Sequence, residues 1–155
     1  MSFRKSIRFT LNGEVRTLDV DPWEILLDTL RERLGIKSPK IGCERGECGT
    51  CTVLLDGKPV RSCLILAVEA DGRELVTVEG LNRDGLSPLQ EKFLEHNSFQ
   101  CGFCAPGFVV AATALLQQDP SPDREAVREA LDGHLCRCTG YTPILDAVVA
   151  AGKKT

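Results

Sequence analysis

No apolar run in this sequence approaches the roughly 18–20 residues that a membrane-spanning helix needs. Neither sign of charge dominates, with 19 Lys and Arg against 22 Asp and Glu and a net charge of −3. Residues 1–80 carry 12 basic and 13 acidic side chains, and residues 81–155 carry 7 and 9. Neither half therefore offers the basic face that a nucleic acid or an anionic membrane requires. Aromatic side chains are scarce at 5%, and there are only two histidines, His96 and His134. The first residues, Ser2-Phe3-Arg4-Lys5, pass into a strand-like pattern with no secretory hydrophobic region and no twin-arginine signal. The expectation is a cytoplasmic chain. What remains is a globular composition, 43% hydrophobic and 26% charged, long enough for one ordinary domain or two small ones.

Cysteine is the residue present in excess. Eight cysteines form two quartets with none left over. The first is Cys43-x4-Cys48-x2-Cys51, closed after eleven residues by Cys63. The second is Cys101-x2-Cys104, closed after thirty-one residues by Cys136-x-Cys138. A [2Fe–2S] rhomb takes four thiolates, two on each iron, and a Cys-x4-Cys-x2-Cys run with a distant fourth cysteine is the plant-type ferredoxin spacing. Gly42, Gly46 and Gly49 suit a loop that must wrap closely round an inorganic core, with peptide N–H groups turned towards sulfur. Three other readings compete. A disulfide framework suits short secreted chains. Zinc sites favour two short cysteine pairs or histidine, and the long gap between Cys104 and Cys136 fits them poorly. Free buried cysteines have no reason to cluster in this way. A Rieske centre needs two histidines on one iron. His134, two residues before Cys136, reads instead as a surface or loop-bonding imidazole. Two one-electron carriers on a small chain, with no phosphate-binding glycine motif and no acid–base pair, imply electron transfer without substrate chemistry.

The quartets fall in segments of different period. In residues 1–80, Ile7 and Phe9 alternate with polar residues, Asn12-Gly13 turns the chain, and Val15, Leu18 and Val20 follow, which predicts a hairpin. Asp21-Pro22-Trp23-Glu24 predicts a capped helix start, and Gly35 its stop. A second hairpin over residues 52–63 and a strand over Leu75-Val76-Thr77-Val78 complete a β-grasp order. Residues 81–155 read as four helices, opened by Ser87-Pro88, Ala105-Pro106, Ser121-Pro122 and Thr142-Pro143, each with proline in its first turn. Phe99, Phe103 and Phe108 are expected in the core. A soft boundary lies at Glu79 to Leu86.

Three motifs together carry a family resemblance. They are Gly42-Cys43-x4-Cys48-Gly49-x-Cys51-Thr52-Val53, Gln100-Cys101-Gly102-Phe103-Cys104 and Leu135-Cys136-Arg137-Cys138-Thr139-Gly140-Tyr141. They resemble the small iron–sulfur subunit of the molybdenum hydroxylases, the xanthine dehydrogenase, aldehyde oxidoreductase and carbon monoxide dehydrogenase-like family. The resemblance runs from about Ile7 to Ala151. It implies an α+β chain: an N-terminal β-grasp plant-type ferredoxin domain over residues 1–80, and a C-terminal four-helix [2Fe–2S]-binding domain over 81–155. It implies one cluster on Cys43, Cys48, Cys51 and Cys63 and another on Cys101, Cys104, Cys136 and Cys138. It also implies a large partner subunit carrying molybdopterin and molybdenum, a medium subunit carrying FAD, and a dimer of such heterotrimers. Electrons would pass from molybdenum through the helical-domain cluster and the ferredoxin-like cluster to FAD. By the same resemblance, Gln100 and Cys138 would touch the pterin, and Arg137 would offset negative charge between two thiolates. Ala105 and Thr142-Pro143 depart from the family pattern without touching a cysteine. A free-standing two-cluster carrier is the rival reading.

Overall fold

A computed structural model of the protein describes residues 3–82 and 85–152. Strands β1 (Lys5–Leu11) and β2 (Glu14–Val20) pair antiparallel with Leu11 opposite Glu14, so Asn12-Gly13 alone makes the turn. Both turn residues have positive φ, 52° and 79°, as a tight hairpin of this hand requires. Ile7, Phe9 and Leu11 point inward and are buried, while β2 is an almost wholly exposed edge. Strands β3 (Thr52–Leu55), β4 (Lys58–Arg61) and β5 (Glu74–Val76) complete one sheet in the order β2-β1-β5-β3-β4. Strand β5 runs parallel to β1 and antiparallel to β3.

Two local expectations are corrected. Asp21 to Glu24 form a turn rather than the first helical turn, closed by Glu24 N–H donating to Asp21 O at 3.0 Å. Ile25 then bridges to Leu66, and helix α1 begins at Leu26 (Leu26–Asp28), continuing as a π-helical turn over Thr29–Arg33. Gly35, with φ 69°, lies just beyond it as read. Leu26 and Leu30 of this segment pack with Ile7, Phe9, Val53 and Leu75 to form the core of the first half. Glu24 is held below the ordinary carboxylate range. Its partial burial works the other way, but the Thr29 hydroxyl and the Arg33 guanidinium outweigh it. The last strand is shorter than expected. It ends at Val76 because the Asn12 side chain takes Thr77, accepting from its N–H at 2.8 Å and donating to its hydroxyl at 3.0 Å. Val78 then starts the short helix α2 (Val78–Leu81).

The second half holds the four expected helices: α3 (Pro88–Glu95), α4 (Ala105–Gln118), α5 (Arg124–Ala130) and α6 (Thr142–Gly152). The Ser87–Gln90 capping box forms in both directions. Helix α5 starts two residues later than read. Asp123 caps it by accepting from Ala126 N–H at 2.8 Å, which leaves Pro122 outside the first turn and packed against Gly152. Phe93, Phe108, Val127, Leu131, Ile144 and Val148 form the second core. Phe108 is buried and Phe99 half-buried against this core, but Phe103 is 48% exposed, contrary to the reading of all three as core. Of the soft boundary segment, residues 83 and 84 lie outside the described residues.

The two halves meet along α4. Val110 and Ala114 pack on Leu54 of β3, beside Val76, Val78 and Leu81. At the N-terminal end of α4 a Cβ on Gly107 would lie 2.4 Å from the carbonyl oxygen of Gly49. In a helix interior, Gly→Ala ordinarily gains roughly 1 kcal/mol. Here the obstacle is backbone, which cannot swing aside. Gly107→Ala is expected to lose stability by about 1–3 kcal/mol, as overpacked sites do. Urea denaturation reads this, and a gain in stability would contradict the close approach.

Candidate metal centres

The loop carrying the first quartet is held before its first cysteine. Arg31 donates from Nη1 to the carbonyls of Lys37 at 3.1 Å and Pro39 at 2.7 Å. Glu79 accepts from Ser38 N–H at 2.9 Å and from its hydroxyl at 2.5 Å. Glu44, Gly46 and Gly49 then take positive φ, which coils the loop tightly. A Cβ on Gly42 would stand 2.8 Å from Cys48 Sγ, so only glycine fits there without displacing the sulfur. The N–H groups of Arg45 and Cys48 both point at Cys43 Sγ from 3.4 Å. These peptide donors hold the Cys43 thiol down to about 6, where thiolate is the natural form at neutral pH.

The eight thiols are all free, and they stand in pairs. Cys43 neighbours Cys48, and Cys51 lies beside Cys63 in a small buried cluster with Leu27. In the second quartet Cys101 Sγ and Cys138 Sγ are 3.5 Å apart, and Cys104 neighbours Cys136. Among the described residues no group of three or more His, Cys, Asp or Glu side chains could hold a single metal ion. Two thiols on each of two irons is the donor set of a [2Fe–2S] rhomb, and four sulfur pairs on one chain match it twice. Burial and the neighbouring sulfur push Cys63 up to about 11 and Cys104 up to about 12. Iron, when bound, would supply the positive charge that lets such crowded thiols bind as thiolates.

The sites differ in exposure. Cys51 and Cys63 are buried at the first. At the second, Cys104 is buried at the residue just before α4, while Cys101 and Cys138 form an exposed rim. Gln100 is also exposed there and donates from Nε2 to Cys138 O at 3.0 Å, which brings together the two residues the motif singles out. Tyr141, with φ 70°, accepts from Cys136 N–H through its hydroxyl at 3.0 Å and so shapes the Cys136–Cys138 turn. Arg137 is exposed.

Sequence reasoning missed how the quartets are joined. Leu135 N–H donates to Cys48 O at 3.0 Å, and the Thr50 hydroxyl donates to Phe103 O at 3.1 Å. His134 is 4% exposed, so the surface reading is corrected. Its Nε2 lies 3.0 Å from Thr52 Oγ1 and 3.3 Å from Arg61 Nη1. Arg61 can only donate, so Nε2 is assigned as the acceptor of a neutral ring. Burial first, and Arg61 second, hold His134 down to about 4. Arg61 Nη1 also donates to Thr52 Oγ1 at 2.7 Å, and the Thr52 hydroxyl lies 2.6 Å from Gly49 O. No local signal points to these partners. They meet only through the fold, with Thr52 next to Cys51 and His134 two residues before Cys136.

Paired thiols in two loops of a ferredoxin-like sheet and a helical unit define a two-cluster iron–sulfur electron carrier. Comparison with known proteins agrees. A family described as "2Fe-2S iron-sulfur cluster binding domain" matches residues 9–80, and one described as "[2Fe-2S] binding domain" matches residues 77–149. The nicotine 6-hydroxylase small subunit of Paenarthrobacter nicotinovorans is 53% identical over 150 residues, covering 97% of this chain and 91% of that one. The nicotinate dehydrogenase small FeS subunit of Eubacterium barkeri is 48% identical over 144 residues, covering 92% of each. The crystal structure of quinoline 2-oxidoreductase from Pseudomonas putida 86 superposes with a TM-score of 0.94 at 47% identity, covering 97% of this chain and 94% of that one. The chain belongs to the iron–sulfur small subunits of the molybdenum hydroxylases, and it serves electron transfer in an oxidoreductase complex.

Thr52→Val tests the junction. It removes a hydroxyl that two buried partners share, and leaving such groups unsatisfied costs about 1–3 kcal/mol. Urea denaturation is expected to show that loss, with Thr52→Ser close to wild type. Equal stability of all three would contradict a structural role for the network.

Proposed function

We propose that Cys43, Cys48, Cys51 and Cys63 ligate one [2Fe–2S] cluster and that Cys101, Cys104, Cys136 and Cys138 ligate the other. The observation that carries this is the pairing of the eight thiols, two pairs to a loop system, with no cysteine over. Such clusters supply one-electron transfer at low potential. The chain's own residues do the rest. Peptide N–H groups at Cys43 stabilise thiolate, glycine at 42 leaves room for sulfur, and the Cys48–Leu135 hydrogen bond keeps the two loops in register. The division falls at residues 1–80 and 81–155.

In the complex this chain lies between a large molybdopterin-binding subunit and a medium FAD-binding subunit, and it relays electrons from the first towards the second. The exposed Cys101–Cys138 rim and Gln100 face the pterin, with the Gln100–Cys138 bond presenting both to it. The assembly is a dimer of heterotrimers in the cytoplasm. Among the described residues no helix is long and apolar enough to cross a membrane.

Three measurements test these assignments. In the purified complex, Cys104→Ser is expected to abolish one of two EPR signals and lower iron from about four to about two per chain. Survival of both signals would remove Cys104 from the ligand set. Gln100→Ala is expected to slow substrate-driven bleaching while both signals persist, and unchanged rates would contradict the pterin contact. Native mass is expected to show two copies of each of three chains, and a single set would contradict the dimer.

A further inference from the structure

Lys40 stands three residues before Cys43, and its position in the chain would assign it to the first quartet. Its side chain goes elsewhere. The Lys40 backbone N–H donates to Thr50 O at 3.2 Å, which anchors it at the junction. Its Nζ lies 5.7 Å from the centre of the Phe103 ring, within cation–π range. Phe103 is the third residue of Cys101-Gly102-Phe103-Cys104 and is pinned through its own carbonyl by Thr50. The ammonium thus reaches across from the first half to the loop of the second quartet. It also donates to Ser38 O at 3.3 Å.

The charges around it agree with this placement. Burial first and Arg31 second make Lys40 a weaker base than usual, while Glu79 opposes them. Glu79 does not neutralise Lys40 directly. Its carboxylate is taken by Ser38 and by the Thr77 hydroxyl at 2.6 Å, and among the described residues Lys40 makes no ion pair within 4.0 Å.

We propose that Lys40 is the fixed positive charge that raises the reduction potential of the cluster on Cys101, Cys104, Cys136 and Cys138, acting across the junction from the other half of the chain. The inference rests on the ligand assignment above. One-electron reduction adds one negative charge at that site, and a half-buried cation nearby favours the reduced form. The effect falls on the second cluster because the ammonium faces its loop. Lys40 is a positioning charge and touches no reacting atom.

The test is an EPR-monitored potentiometric titration of the purified complex, which reads both clusters in one sample. Lys40→Met keeps the aliphatic stem over Phe103 and removes the charge. At a fixed potential near the midpoint, it is expected to lower the ratio of reduced to oxidised second cluster about fivefold. The first cluster is expected to stay within about twofold, and Lys40→Arg is expected to restore the second. An unchanged second cluster, an equal shift in both, or a shift confined to the first would overturn the proposal. If Lys40→Met fails to accumulate with full iron, Lys40→Gln against Lys40→Arg makes the same comparison. Failure of wild type to show two signals would instead remove the ligand assignment on which the proposal stands.

Discussion

The structure depends on one close approach of backbone to backbone. The start of α4 lies directly on the loop of the first quartet, where Gly107 meets the carbonyl of Gly49 with no room for a side chain between them. Gly49 itself has positive φ, and a Cβ there would stand 2.5 Å from the His134 ring. Glycine at both positions lets the two halves come within hydrogen-bonding reach. The Cys48–Leu135 bond, the Thr50–Phe103 bond and the Thr52–Arg61–His134 network all sit in this contact. Were the halves a side chain further apart, each quartet could still bind iron, but the fixed relation between the two would be lost. Fixed separation is what a relay of one-electron carriers needs from its protein.

Within that frame the sites are built for different surroundings. The first places Cys51 and Cys63 inside the protein and stabilises Cys43 with peptide donors, so little about it depends on a neighbour. The second leaves Cys101 and Cys138 at the surface beside Gln100, a rim suited to contact with another chain. Cluster potential follows net charge, hydrogen bonds to sulfur and solvent exposure, and these differ between the two loops. Two clusters whose potentials differed would give electron flow a direction without any moving part.

Much of this was legible in the sequence because it is local. Asn12-Gly13, the Ser87–Gln90 capping box and the stop at Gly35 are short-range devices, and each formed where it was read. The quartets were legible for the same reason, since three cysteines of the first lie within nine residues. What spacing could not show was the pairing within a quartet, because Cys51 and Cys63 meet only when β3 and β4 pair. The misreadings share that cause. Asp21-Pro22-Trp23-Glu24 has the composition of a helix start, yet the Ile25–Leu66 bridge holds the chain extended for one more residue. Asp123 outcompeted Ser121 as a cap because its carboxylate reaches Ala126 N–H directly. His134 read as a surface or loop-bonding imidazole because its partners, Thr52 and Arg61, are 82 and 73 residues away. The sequence motifs also gave Lys40 no role, because its target lies in the other half of the fold.

The central claim is that one chain holds two distinct [2Fe–2S] clusters inside a molybdenum-containing complex. Low-temperature EPR of the dithionite-reduced, co-purified complex, with iron and molybdenum measured on the same sample, tests it most directly. The account predicts two distinguishable signals, about four irons per chain and stoichiometric molybdenum. A single signal, or two signals in a preparation that contains no molybdenum and no partner chains, would contradict it.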